Sequence, residues 1–169
     1  MRRAAATLTT LAALAIPGAA VADATSFDDN DGEVIGNVSN PEDYDILSSS
    51  ATRSGKTFVQ TVTLAGSAST SRPPLLLIDV SPHVSRWCDY VVGRTSEGTG
   101  VFECEYMRKT GSVKITRTGS DTIRYSYRRS ALGNRRTFGW AVITRAQTDG
   151  TTIDADRAPG DPDEFVQYR

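Results

Sequence analysis

The chain is poor in most of what catalytic and metal chemistry is made from. It holds one histidine, His83, and two cysteines, Cys88 and Cys104, in 169 residues. That set makes no four-ligand metal cage. No serine stands in a Gly-x-Ser-x-Gly elbow, so that nucleophile motif is missing. Positive charge is not in surplus: 19 Lys and Arg against 20 Asp and Glu leave a net charge of −1. General nucleic-acid binding needs a basic excess, so nucleic acid is not an expected partner. Long helix-forming runs are few, and no internal repeat is evident. Beyond the N-terminus no apolar stretch reaches membrane-spanning length. The composition is rich in Thr, Ser, Arg and Gly, which suits strands and turns better than helices.

The first 22 residues read as a secretory signal. Arg2 and Arg3 are followed by an alanine-rich run carrying Leu8, Leu11, Leu14 and Ile16. Pro17-Gly18 breaks it, and Ala20-Val21-Ala22 offers a small-x-small cleavage site. The run is too short for a membrane span, although an uncleaved anchor is the competing reading. Cleavage after Ala22 starts the mature chain at Asp23, outside the cell, in an oxidising environment. Loss of Arg2 and Arg3 moves the net charge from −1 to −3. The sequon Asn37-Val38-Ser39 is discounted because the leader has a bacterial form.

Residues 23–43 are acidic and broken by Asn40-Pro41, as in an extended lead-in. Residues 44–147 supply a series of short strands. Phe58 to Leu64 alternates and is β-branched, and Leu75 to Val80 is continuously apolar, as in a strand buried on both faces. Val113 to Arg117 and Ile123 to Arg128 alternate again. Ser130 to Asn134 reads as one helical turn with a Gly-Asn stop, and Phe138 to Ile143 as a last long strand. Residues 148–169 are polar, contain Pro and Gly, and read as a loop or tail. Seven or more short strands at near-regular spacing predict an all-β fold, a single antiparallel β-sandwich.

An even cysteine count in a secreted chain suggests a bridge. Residues 87–93 and 101–107 read as strands, with the polar stretch Arg94 to Gly100 as their hairpin loop. Pairing Cys88 with Cys104 places Tyr90 opposite Phe102 and Val92 opposite Gly100. The apolar side chains then share a face with the bridge.

Several segments carry a resemblance to small secreted actinobacterial proteins of unknown function. They are Asp79 with Asp89 to Gly93, Gly100 to Cys104, Lys114 to Arg117, Thr122 to Tyr125, Leu132 to Asn134, Phe138 to Trp140, and Asp156 to Pro159. The likeness spans about residues 44–160. The strand, Leu-Gly, strand, Trp order is also similar to sugar-binding β-sandwich modules attached to secreted glycosidases. In related domains an acidic, glycine-bearing loop that looks like a calcium site often follows the position of Asp79. Here Val80 to Trp87 holds no carboxylate, and calcium needs six or more oxygens.

Calcium could instead be held by Asp28 and Asn30 meeting Asp154 and Asp156, if the termini lie together. Solvated acidic termini account for those residues more simply, and no metal or cofactor is otherwise called for. A hydrolase could be assembled from His83 with Asp79 or Asp89 and a serine. Glu103 and Glu105 stand two apart on one strand, which makes exposed charges rather than a cleft. Rings and guanidinium groups offer more: Trp87, Arg124, Arg128 and Trp140 are candidate ligand-binding residues for a sugar or anionic wall polymer. Against that, Ile123, Tyr125 and Tyr127 alternate with the arginines, which puts the rings in the core. The expected protein is a secreted, non-catalytic binding module for cell-surface or environmental polysaccharide. The alternative is a small secreted hydrolase using His83.

Overall fold

A computed structural model describes residues 25–29, 34–81, 88–148, 150–160 and 165–168. Its strands are β1 (Thr25–Asp28), β2 (Ile46–Ser54), β3 (Thr57–Leu64), β4 (Leu75–Asp79), β5 (Tyr90–Thr95) and β6 (Gly98–Glu103). They continue with β7 (Lys109–Gly111), β8 (Val113–Arg117), β9 (Thr122–Arg128), β10 (Phe138–Thr148), β11 (Thr151–Ala158) and β12 (Val166–Tyr168). One sheet runs β1-β2-β3-β9-β8; the other runs β11-β10-β4-β5-β6-β7, with β12 also paired to β10. Every pairing is antiparallel. The all-β sandwich is therefore as expected.

The first sheet is amphipathic in the usual strand manner. Phe58, Gln60, Val62 and Leu64 of β3 point inward, as do Ile123, Tyr125 and Tyr127 of β9. The residues between them face outward, because side chains alternate along a strand. The inward rows meet Leu76, Ile78, Val92, Val101, Trp140 and Val142 from the second sheet in one apolar cluster. Aromatic rings pack within it: Phe138 stacks on Tyr168 with centroids 5.1 Å apart, and Phe58 meets Phe138 edge-on at 4.9 Å. Such contacts add to the area they bury.

The second sheet is apolar on both sides. Leu75, Leu77, Val91, Phe102, Ala141 and Ile143 form a separate cluster on its other face, packed by Cys88, Cys104, Met107 and Phe165. This is why Leu75 to Ile78 is an unbroken apolar run.

The hairpin around the cysteines differs from expectation by one residue. Tyr90 faces Glu103, Val91 faces Phe102 and Val92 faces Val101. The connection is the two-residue turn Ser96-Glu97, not a seven-residue loop, and Gly98 supplies its positive φ of 106°. Because both faces of β5 and β6 are buried, apolar alternation carried no register signal there. The disulfide forms nonetheless. A bend at Asp89 precedes β5, Cys104 N–H donates to Asp89 O at 2.9 Å, and the cysteine Cα atoms lie 6.1 Å apart.

Two further segments depart from expectation. The lead-in carries β1, which pairs with β2. The C-terminal stretch expected as a loop or tail carries β11 and β12, both on β10. Their buried residues are mostly small or acidic (Ala155, Asp156, Ala158), so no apolar alternation announced them. Thr144 pairs with Asp156 and Arg145 with Asp154, leaving Ala155 as a bulge. The buried Asp156 carboxylate accepts the Ile46 N–H and the Arg157 N–H, each at 2.7 Å. The helical turn expected before Asn134 is present as a 3-10 turn, Arg129–Leu132, closed by Gly133 at φ 63°.

A polar pair sits inside the core. The Tyr127 hydroxyl donates to Gln60 Oε1, and Gln60 Nε2 finds no acceptor among the described residues. Gln60→Leu strands the tyrosine hydroxyl and is expected to cost about 1–3 kcal/mol. The double variant Gln60→Leu/Tyr127→Phe removes both polar ends and is expected to recover most of that loss in thermal denaturation. Two losses that simply add would show that the pair is not coupled.

Candidate functional site

The neighbouring ends of β4 and β5 bring two carboxyl groups together. β4 stops at Asp79 and β5 starts at Tyr90, with Ile78 paired to Tyr90. Asp89 donates its N–H to Ile78 O at 2.8 Å and so extends the pairing. Its Oδ2 accepts the Val80 N–H at 2.7 Å, and its Oδ1 accepts the Ser81 hydroxyl at 3.5 Å. Asp79 Oδ1 accepts the Ser81 N–H at 2.9 Å. Burial raises the Asp79 carboxyl above the usual carboxylate range. The Ser81 N–H opposes that shift, while a hydrogen bond to Asp89 and the negative charge there add to it.

A groove opens over this pair, beside the disulfide. One part, about 580 Å³, is walled by Ser81, Asp89, Tyr90, Glu103, Tyr106 and Arg135. The adjoining part, about 480 Å³, takes in Asp79, Thr137 and Gln167 and shares Ser81 and Arg135 with the first. Burial raises the Tyr90 phenol. The charges of Glu103 and Asp89 raise it further, against the pull of Arg135 and Arg108. The Arg108 guanidinium grips Glu103 at 2.7 Å. The Tyr106 ring is 73% exposed at the mouth. The groove thus offers hydrogen-bond acceptors, a phenol, a guanidinium group and a flat apolar face.

The residues singled out from the sequence are distributed as follows. Cys88 and Cys104 are bonded. Trp140 is fully buried, with its indole N–H donating to Ser49 Oγ at 3.2 Å, so the ring is a core element and not a sugar platform. Arg124 and Arg128 stand exposed on the outer face of β9, away from the groove, and Tyr125 and Tyr127 are in the core. Trp87, His83 and Asn30 lie outside the described residues. Asp28 is exposed at the end of β1, Asp154 pairs with Arg145 at 2.9 Å, and Asp156 accepts backbone N–H groups. Among the described residues no three His, Cys, Asp or Glu side chains gather into a metal site.

Tyr90, Tyr106 and Arg135 belong to the rings and arginines that the sequence offers for a sugar or wall polymer, but nothing local singles them out as site residues. The available signal was the placement of Asp79 and Asp89 at facing ends of consecutive strands.

The bridge closes a loop over a sequence separation of 16 residues. Reductant, or Cys88→Ser, is expected to lower stability by about 3 kcal/mol in thermal melts. Equal melting temperatures with and without reductant would contradict this. Asp79, with its raised carboxyl, binds a proton more readily folded than unfolded. Its stabilising effect is therefore full at pH below the unfolded value and is lost as pH rises through the folded one. Asp79→Asn is expected to raise the melting temperature at pH 7 and not at pH 3. Solvent screening keeps the gain below about 1 kcal/mol. A variant that is less stable than the parent at both pH values would contradict the assignment.

No protein-family model matches the chain, and no curated protein matches it in sequence.

Proposed function

We propose that the protein is a secreted, non-catalytic binding module that holds a saccharide of a cell-surface or environmental polysaccharide in the groove beside the Cys88–Cys104 bridge. One observation carries this: the exposed Tyr106 ring stands at the mouth of a groove walled by Asp89, Glu103, Tyr90 and Arg135. Sugars present apolar ring faces and a belt of hydroxyl groups. A flat ring takes the first and carboxylates accept from the second. The disulfide is consistent with life outside the cell. The described residues contain no helix long and apolar enough to cross a membrane. The resemblance to small secreted proteins supports the same reading.

The paired carboxyls favour a second reading, a small hydrolase. A raised Asp79 carboxyl beside Asp89 is the type of pair that separates acid and base roles. His83 as its partner lies outside the described residues.

The test is a glycan array and a cell-wall pull-down with residues 23–169. On the best-bound glycan, Tyr106→Ala is expected to weaken binding about tenfold, equivalent to ~1.4 kcal/mol, with an unchanged melting temperature. Full affinity in that variant would remove the groove from the reading. Incubation with the bound polysaccharide is expected to release no soluble product. Product release that disappears with Asp79→Asn would establish the hydrolase instead.

A further inference from the structure

The outer face of the first sheet carries a feature the groove does not use. Along β9 the outward positions are Arg124, Ser126 and Arg128. On the neighbouring edge strand β8, Lys114 lies opposite Ser126. Lys114 is thus the diagonal neighbour of both arginines, at ~7–8 Å per step. A hydroxyl accompanies each cation: Thr61 and Thr116 flank Arg124, Ser126 faces Lys114, and Thr57 faces Arg128. The three cations make no ion pair or hydrogen bond among the described residues.

Past Arg128 the row continues into two adjoining depressions. One, about 460 Å³, contains Lys114, Ser126 and Arg128. The other, about 500 Å³, contains Lys56, Arg128 and Arg129. Among the described residues no carboxylate lines either of them. The Lys56 main chain is tied to this turn, its carbonyl accepting the Arg129 N–H at 2.9 Å, while its side chain is exposed. The Arg129 Nε lies beneath the surface, with no hydrogen-bond acceptor among the described residues, so the exposed cations of the row are what a ligand meets.

We propose that this row is a binding track for a linear anionic polymer carrying a phosphodiester in each repeat. A bidentate guanidinium, a point-charge ammonium and a neighbouring hydroxyl are the groups that hold phosphate oxygens. Their spacing of ~7 Å along the strand is close to the repeat of an extended polyol phosphate. A chain of net charge −1 gives such a polymer no general attraction. The local row is what supplies it. The track stands on these residues alone and does not rest on the saccharide groove.

Poly(glycerol phosphate) is the probe, with polygalacturonate and single-stranded DNA in parallel arms. Residues 23–169 are expected to bind poly(glycerol phosphate) at low salt, with affinity falling as salt rises, as counterion release requires. Lys114→Gln/Arg124→Gln/Arg128→Gln replaces three surface side chains and is expected to weaken binding at least tenfold with the melting temperature retained. Single Lys114→Gln and Arg128→Gln variants, each expected to lose a few-fold, keep the test decisive if the triple variant misfolds. Tyr106→Ala is expected to change nothing here. The track is overturned by absence of binding, by undiminished binding in the variants, or by loss of binding in Tyr106→Ala. Tighter binding of polygalacturonate or DNA overturns the phosphodiester polymer as the occupant.

Discussion

Burial of the second sheet on both faces is the constraint from which the rest of the molecule follows. A sheet in a two-layer sandwich normally keeps one face wet. Here Leu76, Ile78, Val92 and Val142 face the first sheet, while Leu75, Leu77, Val91 and Ile143 form a second apolar layer outside it. That outer layer needs its own cover. The segment after β6, the disulfide, Met107 and Phe165 supply it. The bridge is therefore a fastening for the covering segment as well as a loop closure. β10 is the strand on which this depends most. It pairs with β4 along one edge and with β12 and β11 in succession along the other.

The same constraint decides what could be read in the sequence. Strands with one wet face declared themselves. In β3 and β9 the apolar alternation fixed both the strand and its inward rows, including the burial of Tyr125 and Tyr127. In β5 and β6 apolar residues occupy both faces, so a register one residue away looked equally good. The disulfide was legible because it needs only two cysteines close enough to bond, and Cys88 lies one position off the pairing partner of Cys104. β11 stayed hidden because a bulge at Ala155 and a buried Asp156 replace the apolar rhythm. The Asp156 carboxylate answers the Ile46 N–H, where the β2–β3 register is itself irregular. Two irregularities compensate each other across the molecule, and neither has a local signature.

The site was less legible than the fold, for a related reason. Asp79 and Asp89 were noticed as acids near His83, but their meeting depends on β4 and β5 being adjacent and on Asp89 continuing that pairing by one residue. Tyr106 and Arg135 come from a turn and a connection whose positions depend on the completed fold. Trp140 shows the converse error. Its size made it a candidate platform, yet a large ring at an inward position of a strand paired on both sides belongs to the core. Aromatic content identifies binding faces only when combined with the side of the strand on which the ring falls.

The connection from β9 to β10 links the two surfaces that carry the functional argument. Arg128 and Arg129 enter the cationic depressions, Gly133 passes within reach of the Tyr90 hydroxyl, and Arg135 divides the groove. Between them Ala131 and Leu132 are buried, and the Thr110 hydroxyl donates to Ala131 O at 2.8 Å. The successive left-handed residues Gly133 and Asn134, at φ 63° and 62°, turn the chain sharply toward β10. Arg135 lies seven positions after Arg128, a reach of at most ~25 Å. The groove and the cationic row are thus held in place relative to each other by one short connection, anchored where Ala131 and Leu132 enter the core.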